Sequence, residues 1–191
     1  DINAHAELFH LLTIDRDRAT YEAVRHLIHS GHHTIAFISE GSRSLYPHNI
    51  PYTQKLAGYK RALDEASIPF DETLILAGSD DYRGGAQCFI ELQQRENPPS
   101  AYICTGDVLA LGVLHAAKDM GKAVPEEVSV IGFDNIPVAS YWNPKLSTIA
   151  VPTETIGKEA FKRLFWLMNG MEIPPNKMTF DTELVIRESS R

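Results

Sequence analysis

Read for chemistry, the chain places carboxylates at one kind of position, directly after short apolar runs. Glu40 follows Ile35-Ala36-Phe37-Ile38-Ser39. Asp80 and Asp81 come just after Leu74-Ile75-Leu76, Asp107 just after Ala101-Tyr102-Ile103-Cys104, and Asp134 directly after Val130-Ile131-Gly132-Phe133. Ser39, Thr105, Gly106 and Asn135 stand beside them, and Lys55 lies at the start of the helical stretch that follows a long polar loop. In an open α/β sheet the carboxyl ends of the strands are where ligands bind. Carboxylates gathered there accept paired hydrogen bonds from vicinal hydroxyls of the kind a sugar presents. Each residue also has a plainer reading. Asp107 is read as the N-cap of the next helix in preference to a ligand contact, Asp134 as either a cap or a contact, and Asp80 and Asp81 as a solvated turn.

Templates for catalysis do not fit this set. The sequence has no G-x-S-x-G, no H-E-x-x-H, no Walker loop and no G-x-G-x-x-G. Cys104 and His115 make a poor nucleophile–base pair, because two helical turns separate the histidine from the helix start and no third group orients it. A buried structural cysteine is the reading for Cys104. His26, His29, His32 and His33 crowd one helix end with no acidic or thiol partner, which suits the negative end of a helix better than a metal. No cofactor, no metal and no enzymatic activity are therefore expected.

The charge balance agrees. Among 191 residues there are 25 acidic and 18 basic side chains, a net charge of −7. A surface of that sign is a poor grip for a phosphate backbone. A content of 43% hydrophobic and 23% charged residues is that of a folded globular protein. The longest fully apolar run, Leu164–Met168, is far shorter than the ~18 residues that a membrane helix needs. Two cysteines, Cys88 and Cys104, suggest neither a disulfide framework nor a zinc site. The start, Asp1-Ile2-Asn3-Ala4-His5, lacks the positive flank and apolar stretch of an export signal. A cytoplasmic setting without membrane contact is the expectation.

The elements that must position these residues alternate between two periods. Strands are expected at Leu11–Ile14, Thr34–Ile38, Leu74–Leu76, Ala101–Cys104, Val128–Phe133 and Leu146–Ile149, with a strand-like stretch at Phe180–Arg187. Helices are expected from about Asp17 to Ser30, from about Thr53, from about Arg83 to Arg95, from Asp107 to Met120, and from about Thr155 to Asn169. A short helix is expected over Ile136–Tyr141. Gly31, Gly121 and Gly170 mark helix ends. Between the second strand and second helix lies a polar loop, Ser39–Tyr52. Strand–helix alternation at this spacing predicts an α/β fold, a parallel sheet with helices on both faces in three layers.

Several segments, in order, are similar to one family. They are Asp15 with Ala23–His32, Thr34–Ile38, Leu56-Ala57-Gly58-Tyr59, Pro98–Ala101, Asp107–Gly112, Val124–Asn135, Pro144–Ile149 and Glu183–Ser189. Together they resemble the effector-binding core of lactose-repressor/galactose-repressor (LacI/GalR) family transcription regulators, a periplasmic-binding-protein-like (type I) fold of two subdomains. The resemblance implies a sensor for a sugar or related small polar metabolite, working as a homodimer. Operator DNA would be read by a helix-turn-helix headpiece outside this chain. It divides the chain into residues 1–14, a remnant of the N-terminal subdomain; 15–152, the C-terminal subdomain; 153–180, a helix and connection belonging to the N-terminal subdomain; and 181–191, the closing strand of the C-terminal subdomain.

The same resemblance implies effector contacts at Asp134 and Lys55, the latter where the family usually has arginine. Gly106 stands where the family often has asparagine. Asp80 falls near an often aromatic position that Tyr82 could replace; Ser39 and Asp81, taken from their place after the strands alone, complete the rim. The implied dimer contacts are Leu111, Leu114, Tyr141 and Trp142. The apolar face of the 153–170 helix (Ile156, Ala160, Phe161, Leu164, Phe165) is expected to lack its usual sheet. A solute-binding protein of a sugar transporter, built on the same fold, is the alternative.

Overall fold

In the computed structural model, which describes residues 10–41, 50–171 and 177–191, the alternating pattern forms two units. The larger comprises residues 16–150 and 183–191, and the smaller comprises residues up to 15 together with 151–182.

The larger unit is built on a six-stranded sheet. Its strands are β2 (Ile35–Glu40), β3 (Ile75–Gly78), β4 (Ala101–Cys104), β5 (Ser129–Asp134), β6 (Ser147–Ala150) and β8 (Glu183–Val185), in the order β3-β2-β4-β5-β6-β8. The first five run parallel and β8 is antiparallel to β6. Strands β2, β4 and β5 are buried almost throughout, which is why they read as continuous apolar runs with no alternation. Helices α1 (Arg16–His29) and α2 (Ile50–Glu65) pack on each other, as do α3 (Tyr82–Gln93) and α4 (Asp107–Asp119). The chain moves outward from β2 to β3, then turns back past β2 to β4 and on to β5. Right-handed crossovers therefore put α2 on one face and α3 and α4 on the other.

On the α1–α2 face, Gly58 lets the two helices touch. A Cβ built there would lie 2.1 Å from the Asp17 carbonyl oxygen. Tyr59 beside it donates to the Ile35 carbonyl at 2.8 Å and packs on Phe37, 5.4 Å between ring centroids. On the other face Phe89, Leu92, Tyr102, Leu109, Leu114 and Val130 form a continuous core. The closing residues seal the sheet. The Val130 N–H donates to the Ser189 carbonyl at 2.7 Å, and the Ser189 hydroxyl donates to the Val130 carbonyl at 2.6 Å while accepting from the Ser147 N–H at 2.8 Å.

The smaller unit pairs β1 (Leu11–Ile14) with β7 (Lys177–Phe180) in parallel and adds α5 (Thr153–Met168), which touches β1. No residue of α5 is buried. Phe161 is 69% exposed and its ring stacks on that of Phe165 at 6.4 Å. The apolar stripe read from the sequence is thus largely open to solvent.

Three expectations change. The strand read over Phe180–Arg187 is two strands in different sheets, β7 ending at Phe180 and β8 starting at Glu183. Helix α2 begins at Ile50, ahead of Thr53, because Pro51 is tolerated in a first turn that needs no N–H there. The short helix expected after Asp134 is present, as a 3₁₀ helix over Pro137–Ser140 in place of an α-helix. Residues 42–49 of the polar loop, and Ile173-Pro174-Pro175, lie outside the described residues.

Candidate functional site

The strand order selects one place for a ligand. Strand β2 leads through α2 to its neighbour on one side, whereas β4 leads through α4 to its neighbour on the other. Where connections diverge in this way, an open sheet leaves a crevice at the carboxyl ends of the two strands. Glu40 closes β2 at this crevice, and Thr105 and Gly106 follow β4.

Lys55 reaches the crevice from α2. The side chain is 7% exposed, its Nζ donates to the Thr105 carbonyl at 2.6 Å, and it lies 3.9 Å from the centre of the Phe133 ring. Burial lowers the Lys55 pKa, while Glu40, Asp134 and Asp107 favour the charged form. The Thr105 hydroxyl donates closely to the Glu40 carboxylate. Asp134, exposed at the end of β5, faces the same group. Partial desolvation by the surrounding protein raises its pKa, opposed by Lys55, reinforced by Glu40 and opposed by Arg16. Gly106 leaves room beside it: a Cβ at this position would lie 3.9 Å from Asp134 Oδ2. Arg16, in the first turn of α1, acts on both Lys55 and Asp134. Two cations and two carboxylates acting on one another offer charge-assisted donors and acceptors to a polar molecule. Among the described residues, no three or more His, Cys, Asp or Glu side chains are grouped to hold a metal.

Beneath Asp134 the backbone takes an uncommon shape. Asp134 and Asn135 are consecutive non-glycine residues at φ 110° and 58°. Such conformations cost of order 1–3 kcal/mol each and persist only where the surroundings impose them. Asp107 does part of the imposing. Its carboxylate, on a residue 1% exposed, accepts from the Thr148 hydroxyl at 2.5 Å and from the Ile136 N–H at 2.8 Å. Burial pushes this carboxyl up to about 6. Gly132 makes the arrangement possible, since a Cβ there would stand 2.2 Å from Asp107 Oδ1. A glycine inside an otherwise apolar strand marks a close approach of this kind.

The residues singled out from the sequence meet different fates. Lys55, Gly106 and Asp134 come together with Glu40 and Thr105. Asp107 is not the cap of α4. Gly106 occupies the cap position without a side-chain bond, and the Asp107 carboxylate turns inward. Ser39 is buried, with its hydroxyl on the Leu76 carbonyl at 3.3 Å. Asp81 caps α3, accepting from the Gly84 N–H at 2.9 Å and the Ser79 hydroxyl at 2.6 Å, and these bonds lower its pKa. Asp80 is exposed in the same turn. Tyr82 packs against His115 at 5.1 Å and Trp142 at 6.5 Å, on the α3–α4 side, rather than at the Lys55–Asp134 group. Leu111 and Leu114, 6% and 1% exposed, belong to this chain's own core and offer little surface to a partner subunit. Tyr141, in contrast, is 85% exposed, and Trp142 packs at the edge of the core.

Sequence reasoning missed Arg16 and the inward role of Asp107. The first was findable by applying the strand-end rule to β1, whose next residues are Asp15 and Arg16. The second was signalled by Gly132 in the β5 run.

Comparison with known proteins adds the following. Residues 24–190 match the periplasmic binding protein-like domain. The chain is 37% identical over 179 residues to the HTH-type transcriptional repressor CytR of Escherichia coli (strain K12), covering 93% of this chain and 51% of that protein. The fold is similar to that of the E. coli transcriptional repressor AscG, with a TM-score of 0.81 and 34% identity over 98% of this chain and 71% of that one. It is similar also to a LacI family transcriptional regulator from Enterococcus faecium with bound ribose, with a TM-score of 0.84 and 30% identity over 95% and 65% of the two chains. All three are named as transcription regulators. The chain spans about half the length of the curated relatives it matches.

Proposed function

Because this chain belongs to the periplasmic binding protein-like domain family, among its LacI-family regulators, we propose that it is the effector-sensing core of a DNA-binding transcription regulator. The relatives favour this reading over a solute-binding protein of a transporter. The effector is a sugar or a related small polar metabolite, held by Asp134 and Lys55 with Glu40 and Arg16 around it. Residues 16–150 with 183–191 form one subdomain of that core; the remainder belongs with a second. An effector that favours one arrangement of the two would shift their equilibrium, and operator affinity would follow. Operator DNA is read by a part of the protein outside these 191 residues, in a cytoplasmic setting, and no chemical reaction takes place at the site. The protein works as a homodimer. The surface that supports this is the exposed pair Val138 and Tyr141 in the turn that carries Trp142.

One observation carries the sensor reading. The charged group sits at the switch point of the sheet, in the row where the chain passes from one unit to the other. Asp134 pairs in register with Ala150, and Ala150 with Glu183. The unit boundaries fall beside these same two residues, at 150/151 and 182/183. Asp134 thus stands in the strand row at which the chain leaves and re-enters the larger unit.

The test is calorimetric titration of sugars and phosphosugars against the chain and its Asp134→Ala variant. Loss of one charged hydrogen-bonding partner is expected to weaken binding at least about tenfold. Equal affinities would overturn the site.

A further inference from the structure

The corner that presents Asp134 is braced from a residue far along the chain. After Asp134 the backbone folds back, so that the Asn135 N–H donates to the Thr148 hydroxyl at 3.3 Å and Ile136 reaches Asp107. The Asn135 side chain points to the closing segment. There Arg187 Nη2 donates to Asn135 Oδ1 at 2.8 Å, and Nη1 of the same guanidinium donates to the Leu146 carbonyl at 2.6 Å. The Arg187 backbone is itself pinned, its N–H donating to the Ser147 hydroxyl at 2.8 Å. The planar fork therefore spans two acceptors at fixed spacing, one before β6 and one on the left-handed corner. Few other side chains could hold both at once.

We infer that Arg187 is a positioning residue for the ligand site, setting Asn135 and thereby the left-handed corner that aims the Asp134 carboxylate. This rests on the reading of Asp134 as a ligand contact. Arg187 acts by geometry, not by charge: the groups that act on the Asp134 carboxyl are Lys55, Glu40 and Arg16. Arg187 also lies just past β8, the strand by which the chain returns from the smaller unit. The aim of Asp134 is accordingly tied to the placement of that returning strand.

The test uses the 191-residue chain with Arg187→Met, Arg187→Lys, Asn135→Ala, the Arg187→Met/Asn135→Ala double variant and Asp134→Ala. Two readouts are taken: hydrogen exchange at the 135 and 136 amides, and calorimetric titration with ribose. In Arg187→Met and in Asn135→Ala the corner amides are expected to exchange about tenfold faster, while β4 and β5 keep their protection. Ribose binding is expected to weaken about tenfold in each single variant and, in the double, by less than the two losses combined, since the Arg187–Asn135 bond is lost in both. The pH profile of binding stays that of the unaltered chain, and Arg187→Lys, which keeps a single donor nitrogen and loses the fork, recovers part of the loss. Unchanged exchange at 135 and 136 in Arg187→Met overturns the proposal whether or not ribose binds, as do additive losses in the double variant. Should Arg187→Met unfold the sheet, the same exchange comparison in Arg187→Lys and Asn135→Ala decides. If Asp134→Ala binds ribose as well as the unaltered chain while the corner loosens in Arg187→Met, the brace stands and the site reading alone fails.

Discussion

Replacing Asp107 with asparagine isolates the free energy stored in a buried carboxyl under the site. The folded protein holds this carboxyl at about 6, against an ordinary 3.8, chiefly because burial disfavours the charge. Between those two pH values the folded chain keeps a proton that the unfolded chain has released. Stability from this group is therefore fully present below pH 3.8 and is lost as the pH rises through about 6. At about 1.4 kcal/mol per pKa unit, the full loss is on the order of 3 kcal/mol. Asparagine has the same shape, does not ionise, and keeps one oxygen for Thr148 or Ile136. The stability difference between the unaltered chain and Asp107→Asn should thus move against the unaltered chain by about that amount from pH 4 to pH 7. Asp134 is common to both proteins and its titration largely cancels. Urea unfolding supplies the measurement, in a Trp166→Phe background. The chain has two tryptophans, and this leaves Trp142 to report on the larger unit. A difference that stays constant over the interval would mean that Asp107 titrates as an exposed aspartate, and the account of the corner would fail.

Other consequences are quicker to check. Gly132→Ala should cost about 1–3 kcal/mol by driving a methyl group into the Asp107 carboxylate, and denaturation in an Asp107→Ser background should show most of that cost relieved. The Cys88 thiol, pushed up to about 11, and the Cys104 thiol, also raised by its burial, should not react with a thiol reagent at neutral pH until denaturant is added. Rapid labelling of the folded chain would contradict their burial. Tyr141→Lys should leave the melting temperature almost unchanged while reducing self-association in sedimentation, as suits a side chain 85% exposed; an unaltered dimer would place the subunit contact elsewhere.

The larger sheet was legible because its strands are apolar without alternation and its helices are bounded by glycines that take positive φ, Gly31 and Gly121 among them. That Asp134 and Lys55 come together was legible because strand ends and helix starts converge on one edge of such a sheet. What did not show was the use each polar side chain makes of its neighbours. Asp107 and Asp81 stand nearly alike, each where a helix begins after a strand. One turns inward because Gly132 leaves space, and the other satisfies the first turn of α3. Leu111 and Leu114 lie on a helix apolar on nearly every side, and periodicity could not say which side the chain itself would cover. Arg187 escaped because its partner, Asn135, stands 52 positions away, a separation that no local pattern encodes.

The sealing of the larger sheet by Ser189 and its neighbours has a consequence for how the molecule is made. The ribosome must deliver α5 and β7 before residues 183–191 emerge to complete a sheet begun at Ile35. Until then β6 is an open edge and Val130 lacks its Ser189 contacts. Until Arg187 arrives the corner at Asn135 stays unbraced, so its shape is fixed only after the segments of the smaller unit have been made.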